Sequence, residues 1–155
     1  MNVLEHLEPK SVFRFFEEMC AIPHGSRNTK AVSDWCADFA RARGLEYHQD
    51  GDNNIIIIKE AAPGYEAAPP VILQGHLDMV CEQTADCQKD MSREGLDLAV
   101  DGDFVYAKGT TLGGDDGIAV AMALALLDAE GLPHPRLEAV FTVDEEIGLL
   151  GAASI

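Results

Sequence analysis

Basic residues are scarce in this chain: 11 Lys and Arg stand against 27 Asp and Glu, for a net charge of -16. A polyanion gains nothing by releasing counterions from nucleic acid, and anionic lipid headgroups repel it, so neither is expected as a partner. Long apolar runs are absent too, and nothing approaches the roughly 18 residues of a membrane helix. The first residues, MNVLEHLEPKSVFRFF, lack a basic region followed by an apolar stretch, so no signal peptide is expected. Cysteine is sparse and unpatterned. Cys20, Cys36, Cys81 and Cys87 form no CxxC pair, and they read as reduced core thiols, which points to the cytoplasm.

What remains is ordinary for a globular domain. The 155 residues are 47% hydrophobic and 25% charged, enough for one domain with a buried core. The surplus acid has two readings, a solvated surface that keeps the protein soluble or a set of metal-binding carboxylates. Where the acids sit decides between them.

Val12, Phe15, Phe16 and Met19 recur at helical spacing and predict a first helix from Pro9 to Met19. A second helix is predicted from Thr29 to Arg43, with Asn28 or Thr29 as its cap and Gly44 just past its end. A short strand from Leu45 to Gln49 and a turn at Asn53-Asn54 lead to Ile55–Ile58, a β-branched run that suggests a strand buried on both faces. Ala61–Pro70 is rich in breakers and reads as a surface connection. Val71–Leu73 is a second apolar strand running into Gln74–Asp78, and Glu82–Glu94 is polar and irregular. Leu96–Val100 and Phe104–Ala107 flank Asp101-Gly102-Asp103 as a hairpin. A helix from Gly117 to Ala129, apolar all round, is expected to be buried. Leu137–Val143 is a further strand. Helices mixed with buried strands indicate an α/β fold, a mixed and largely parallel sheet flanked by helices. The sequence stops at Gly151–Ile155, soon after a strand, and a domain rarely leaves its sheet uncovered, so a truncated domain is expected.

Three polar clusters stand at strand ends or a helix start. His76 and Asp78 are two apart, so on an extended chain they face one side. A carboxylate beside an imidazole fixes its tautomer and raises its basicity, which suits a metal ligand. Such a pair alone is more often a hydrogen-bonded structural element. Gly113-Gly114-Asp115-Asp116-Gly117 opens the third helix. A glycine-rich loop there could cradle phosphate, but two aspartates repel it and the P-loop lysine is missing. Carboxylates favour a cation, while simple helix capping accounts for one aspartate better than for two. Asp144-Glu145-Glu146 follows the last strand, where open α/β sheets place ligands. Adjacent side chains diverge, so Glu145 and Glu146 take different tasks, one binding metal and the other acting as a base. One imidazole with several carboxylates suits Zn²⁺, with Co²⁺ or Mn²⁺ acceptable, and thiolate is too scarce for an iron–sulfur centre. A noncatalytic acidic module binding a ligand or Ca²⁺ is the alternative from another class, but Asp101-Gly102-Asp103 lacks the EF-hand spacing and its closing glutamate.

The stretches VILQGHLDMVCE (71–82), DGDFVYAKGTTLGGDDGIAVAMALALL (101–127) and LEAVFTVDEEIGLLGA (137–152), with IPHGSRN (22–28), resemble the aminoacyl-histidine dipeptidases, which include carnosinase-like enzymes. These belong to the di-zinc aminopeptidase, carboxypeptidase and deacylase superfamily. Tripeptidases share the GTT loop and are the nearest relatives by pattern. The resemblance implies a cytoplasmic metallopeptidase that cleaves dipeptides, preferentially those ending in histidine. A tripeptidase or amide deacylase of the same superfamily is the close alternative. By matching position, His76 would bind one zinc, Glu146 the other, and Asp115 would bridge both. Asp78 would orient His76, and Glu145 would be the general base. The bond from Asp115 to Asp116 is often cis in that family. The family's remaining ligands, an aspartate and a histidine, lie downstream, so each zinc has two protein ligands here. The resemblance therefore implies that residues 1–155 are the amino-terminal portion of a catalytic domain. The lid and dimerisation domain, which would make the full-length protein a homodimer, is missing. The isolated chain is expected to bind zinc weakly and hydrolyse nothing.

Overall fold

The computed structural model describes residues 2–155. Its first helix, α1 (Lys10–Cys20), buries Val12, Phe15, Phe16 and Met19 together, as their spacing requires. The second, α2 (Lys30–Ala42), ends at Gly44, whose φ of +65° is the left-handed turn that releases the chain from a helix. No side chain caps its start; Asn28 donates instead to the Ser92 carbonyl. Phe15 of α1 and Phe39 of α2 meet edge to face at 5.4 Å, locking the two helices together.

Strands β1 (Glu46–Gln49), β2 (Ile55–Lys59) and β3 (Val71–His76) come next. A hairpin of β4 (Leu98–Asp101) and β5 (Phe104–Ala107) follows, turning at Gly102 as the Asp-Gly pair predicts. Helix α3 (Gly114–Asp128) and strand β6 (Leu137–Thr142) complete the order. The main sheet runs β1-β2-β6-β3. It is mixed and flanked by helices, so the α/β class holds. The parallel share is smaller than expected, however. Only β3 and β6 run parallel, while β1–β2 and β2–β6 are antiparallel. For β1–β2 the cause is local: no helix separates the two strands, and a tight turn can only return the chain antiparallel.

Helix α2 covers β1 and β2, α3 covers β3 and β6, and α1 lies on α3. Between them lies a core that includes Ile55, Ile57, Ala139, Phe141, Val120 and Leu124. The expectation that Ile55–Ile58 is buried on both faces needs correction. Ile56 and Ile58 are only half-buried, and Ile72, in the same cross-strand row as Ile58, is 64% exposed. A β-branched run carries no polar alternation, so it cannot tell which face is covered. Helix α3 shows the same effect, since Met122 and Leu126 leave an exposed stripe on a helix read as buried all round. Among the thiols, burial pushes Cys20 up to about 12 and raises Cys36 further, as expected of core cysteines. Cys81 is exposed and Cys87 half-buried, so that reading fails for the second pair. Among the described residues, no helix is long and apolar enough to cross a membrane.

Asn54, expected simply as a turn residue, is buried and ties three segments. Its Oδ1 accepts the Val143 N–H at 3.0 Å. Its Nδ2 donates to Asp50 Oδ2 at 2.7 Å and to the Gly151 carbonyl at 3.1 Å. Asn54→Ala strands the Val143 N–H, while the Gly151 carbonyl keeps the Ser154 N–H and hydroxyl. We expect it to cost the full-length protein about 1–3 kcal/mol of stability in urea unfolding, the penalty of one unpaired buried donor. A loss near zero would show that water replaces the amide.

Candidate metal centre

Parallel neighbours end at the same edge of a sheet, and this places two of the three polar clusters side by side. His76, the last residue of β3, is the register partner of Thr142, the last of β6. The Asp144–Glu146 run therefore leaves the sheet next to His76-Leu77-Asp78. Helix α3 packs on the same two strands and delivers Asp115 to that edge from its first turn. The regular helix starts at Gly117, as expected, because Asp115 and Asp116 have non-helical backbone angles, and the bond between them is cis.

The three residues carried forward as metal ligands come together. One donor atom each from His76, Asp115 and Glu146 lies within 4.8 Å of the others. His76 is buried, Glu146 half-buried and Asp115 exposed. His76 Nε2 faces Asp115 Oδ1 at 3.1 Å. Glu145, read as the base, stands beside this trio without joining it, with Oε2 3.9 Å from His76 Nε2. Among the described residues no other group of His, Cys, Asp and Glu converges in this way. An imidazole nitrogen with two carboxylates, in an arrangement open on the Asp115 side, fits a divalent ion of the zinc type.

Asp78 lies behind the trio, 1% exposed, and its two oxygens gather four donors. Oδ1 accepts the Glu145 N–H at 3.0 Å, and Oδ2 accepts the Ser26 hydroxyl at 2.7 Å and the Glu146 N–H at 3.3 Å. His76 Nδ1 is 3.0 Å from the Asp78 carbonyl and 3.3 Å from Oδ1, so one N–H is shared between them. Burial opposes ionisation of Asp78, but these bonds outweigh it and hold the carboxyl down at about 2. The Asp78 bond in turn lifts His76 to about 9; burial opposes this and Asp115 adds to it. A cation accepted at Nε2 would displace that proton, and the same carboxylates would balance the ion's charge.

Three contacts here have no counterpart in the sequence reading. Asp116 turns inward, where its Oδ2 accepts the His76 N–H at 3.2 Å. Burial first, then repulsion from Asp115 and Glu145, raises its pKa. Gly75 permits this approach, since a Cβ there would sit 2.8 Å from the same oxygen. The third contact joins Arg27, whose N–H donates to Asp144 Oδ1 at 2.6 Å. With Ser26, it brings the IPHGSRN segment against the acid run. Beside Glu146 opens a cleft of about 460 Å³ with Met79, Val80, Met91 and Ile147 in its walls.

Known proteins share this fold. The chain is 38% identical over 152 residues to the cytosol non-specific dipeptidase of Escherichia coli (strain K12), covering 98% of the chain and 31% of that protein. It superimposes on the aminoacylhistidine dipeptidase of Vibrio alginolyticus with a TM-score of 0.95 at 36% identity, covering 98% of the chain and 31% of that structure. A tripeptidase from Staphylococcus aureus shares the fold, with a TM-score of 0.75 at 22% identity over 94% of the chain and 39% of that structure. The chain thus spans about a third of the length of the relatives it matches. The sequence profile of peptidase family M20/M25/M40 matches residues 72–155, more than half of the chain and all three polar clusters. The chain belongs to that peptidase family.

Proposed function

We propose that the full-length protein is a cytoplasmic di-zinc dipeptidase with a preference for dipeptides ending in histidine, and that this chain supplies the amino-terminal portion of its catalytic domain. One observation carries the reading: His76, Asp115 and Glu146 converge at the carboxyl edge of β3 and β6 with Glu145 beside them. His76 and Asp115 would hold one ion and Asp115 and Glu146 the other, each site being completed by residues outside this chain. The bound ions would supply Lewis acidity at the scissile carbonyl and make an attacking water more acidic. Glu145 would take the proton of that water on its carboxylate and pass it to the departing amine. Asp78 would keep the His76 ring and the Glu145–Glu146 backbone in place through the four bonds it accepts. The apolar cleft beside Glu146 offers room for a side chain of a small peptide.

The histidine preference is supported by the resemblance in the sequence and by the name of the Vibrio structure. The name of the Escherichia coli relative supports a wider range of dipeptides. A panel of β-alanyl-histidine, alanyl-histidine, dialanine and trialanine, assayed with the full-length protein, decides the matter. We expect dipeptide cleavage, fastest with the histidine pair, lost on chelation and restored by Zn²⁺, Co²⁺ or Mn²⁺. The isolated 155-residue chain should cleave none of them, because each ion would have only two of the three protein ligands usual at a catalytic zinc. Preferred cleavage of the tripeptide would make the protein a tripeptidase. Undiminished activity in metal-free protein would sink the reading as a whole.

A further inference from the structure

We propose that Ser26 is a positioning residue for the metal centre: its hydroxyl fixes the plane of the Asp78 carboxylate, which in turn aims the His76 ring and the Glu145–Glu146 backbone. The inference rests on the metal-dependent reading above and deepens it.

Residues 24–28 form no helix or regular strand, yet they are tightly held. The Met79 N–H donates to the His24 carbonyl at 3.1 Å, the Ser26 N–H donates to the Met79 carbonyl at 3.3 Å, and Gly25 forms a parallel bridge with Met79. Backbone pairing thus fastens the segment to the turn just after Asp78. It leaves Ser26 with its hydroxyl directed at Asp78 Oδ2, at 2.7 Å. This is the shortest of the bonds that Asp78 accepts, since the Glu145 and Glu146 N–H groups lie at 3.0 and 3.3 Å and His76 Nδ1 at 3.3 Å from Oδ1.

The physical consequence follows from the softness of a carboxylate about its last torsion, which is broad and two-fold. Hydrogen bonds to its two oxygens select the plane that Asp78 takes within its buried site. Without the Ser26 hydroxyl, Oδ2 retains only the long bond from Glu146, and the plane can tilt about the Oδ1 side that Glu145 and His76 still hold. The tilt reaches His76 through Oδ1 and reaches the candidate base and ligand through their N–H groups. Three functional groups on two strand ends are therefore aimed by one hydroxyl on a separate loop. Supporting partners of this kind usually change metal affinity by roughly 10–100-fold.

The test compares Ser26→Ala with Ser26→Thr in the full-length protein, stripped of metal and titrated with Co²⁺ against a chelator. The visible spectrum of bound Co²⁺ reports ligand geometry independently of activity. We expect Ser26→Ala to bind Co²⁺ about 10-fold more weakly with an altered spectrum, and to lose kcat rather than KM on a dipeptide at saturating metal. Ser26→Thr, which keeps the hydroxyl, should restore all three. Thermal melting of the metal-free proteins separates a folding defect from a metal defect. If the alanine variant does not fold, Ser26→Thr and Ser26→Val give the same comparison at nearly equal volume. Co²⁺ binding and spectrum unchanged in the variant lacking the hydroxyl would overturn the proposal, as would a threonine variant no better than alanine or valine. Failure of the unsubstituted protein to bind Co²⁺ would instead overturn the metal-dependent reading beneath it.

Discussion

Glutamine in place of Glu145 is expected to lower turnover of the full-length protein by roughly 10²–10⁴-fold, the usual contribution of a general base, while its metal content stays near that of the unsubstituted protein. The separation of the two effects is what the geometry demands. Glu145 Oε2 is 3.9 Å from His76 Nε2, close to where the reacting groups would gather, but the three donors that converge are those of His76, Asp115 and Glu146. The Glu145 N–H is anchored on Asp78, and a glutamine leaves that backbone bond untouched. The substitution removes an acceptor for a proton and little else. Elemental analysis beside steady-state kinetics provides the check. Loss of an ion together with activity would make Glu145 a ligand, and near-normal turnover would move the base elsewhere.

Asp78→Ala should produce the second large effect, and a different one. Here the metal affinity itself falls, by roughly 10–100-fold, because the residue that orients a liganding histidine is gone. The folded state also loses stability, at about 1–3 kcal/mol for each buried donor left without a partner. The Glu145 N–H and the Ser26 hydroxyl are the chief donors so exposed. Chelator competition and urea unfolding read the two losses separately. An alanine variant with both properties unchanged would show that the His76 ring is held by its neighbours' packing alone. Asp78→Ala should exceed Ser26→Ala in both measurements, since it removes the shared acceptor rather than one of its donors.

Much of this centre could be read along the chain because each piece is a hydrophobic run that ends abruptly in polar residues. Val71–His76 and Leu137–Thr142 both end this way, and parallel pairing makes their ends coincide. The Gly-rich approach to α3 announces itself by composition. What stayed hidden depends on direction and on distance. Apolar strands look alike whether their neighbours run with or against them, so β2 gave no hint that both of its ladders are antiparallel. The bond from Ser26 to Asp78 spans 52 positions, and a serine in a loop has no periodicity to mark it. The turn at Asn53-Asn54 is present as expected, but the further role of Asn54 stayed hidden for a related reason. Asparagine is common in turns for its local bonds, and here it makes one to Asp50 but also bonds to Val143 and Gly151, far along the chain.

The pairing of β3 with β6 also divides the centre mechanically. His76 and Glu146 hang from one laced ribbon of backbone, whose rungs set their spacing. Asp115 arrives on a different body, the helix laid across that ribbon. The Asp116 carboxylate fastens the start of that helix to the His76 N–H, so the backbone that carries one ligand also anchors the approach of another.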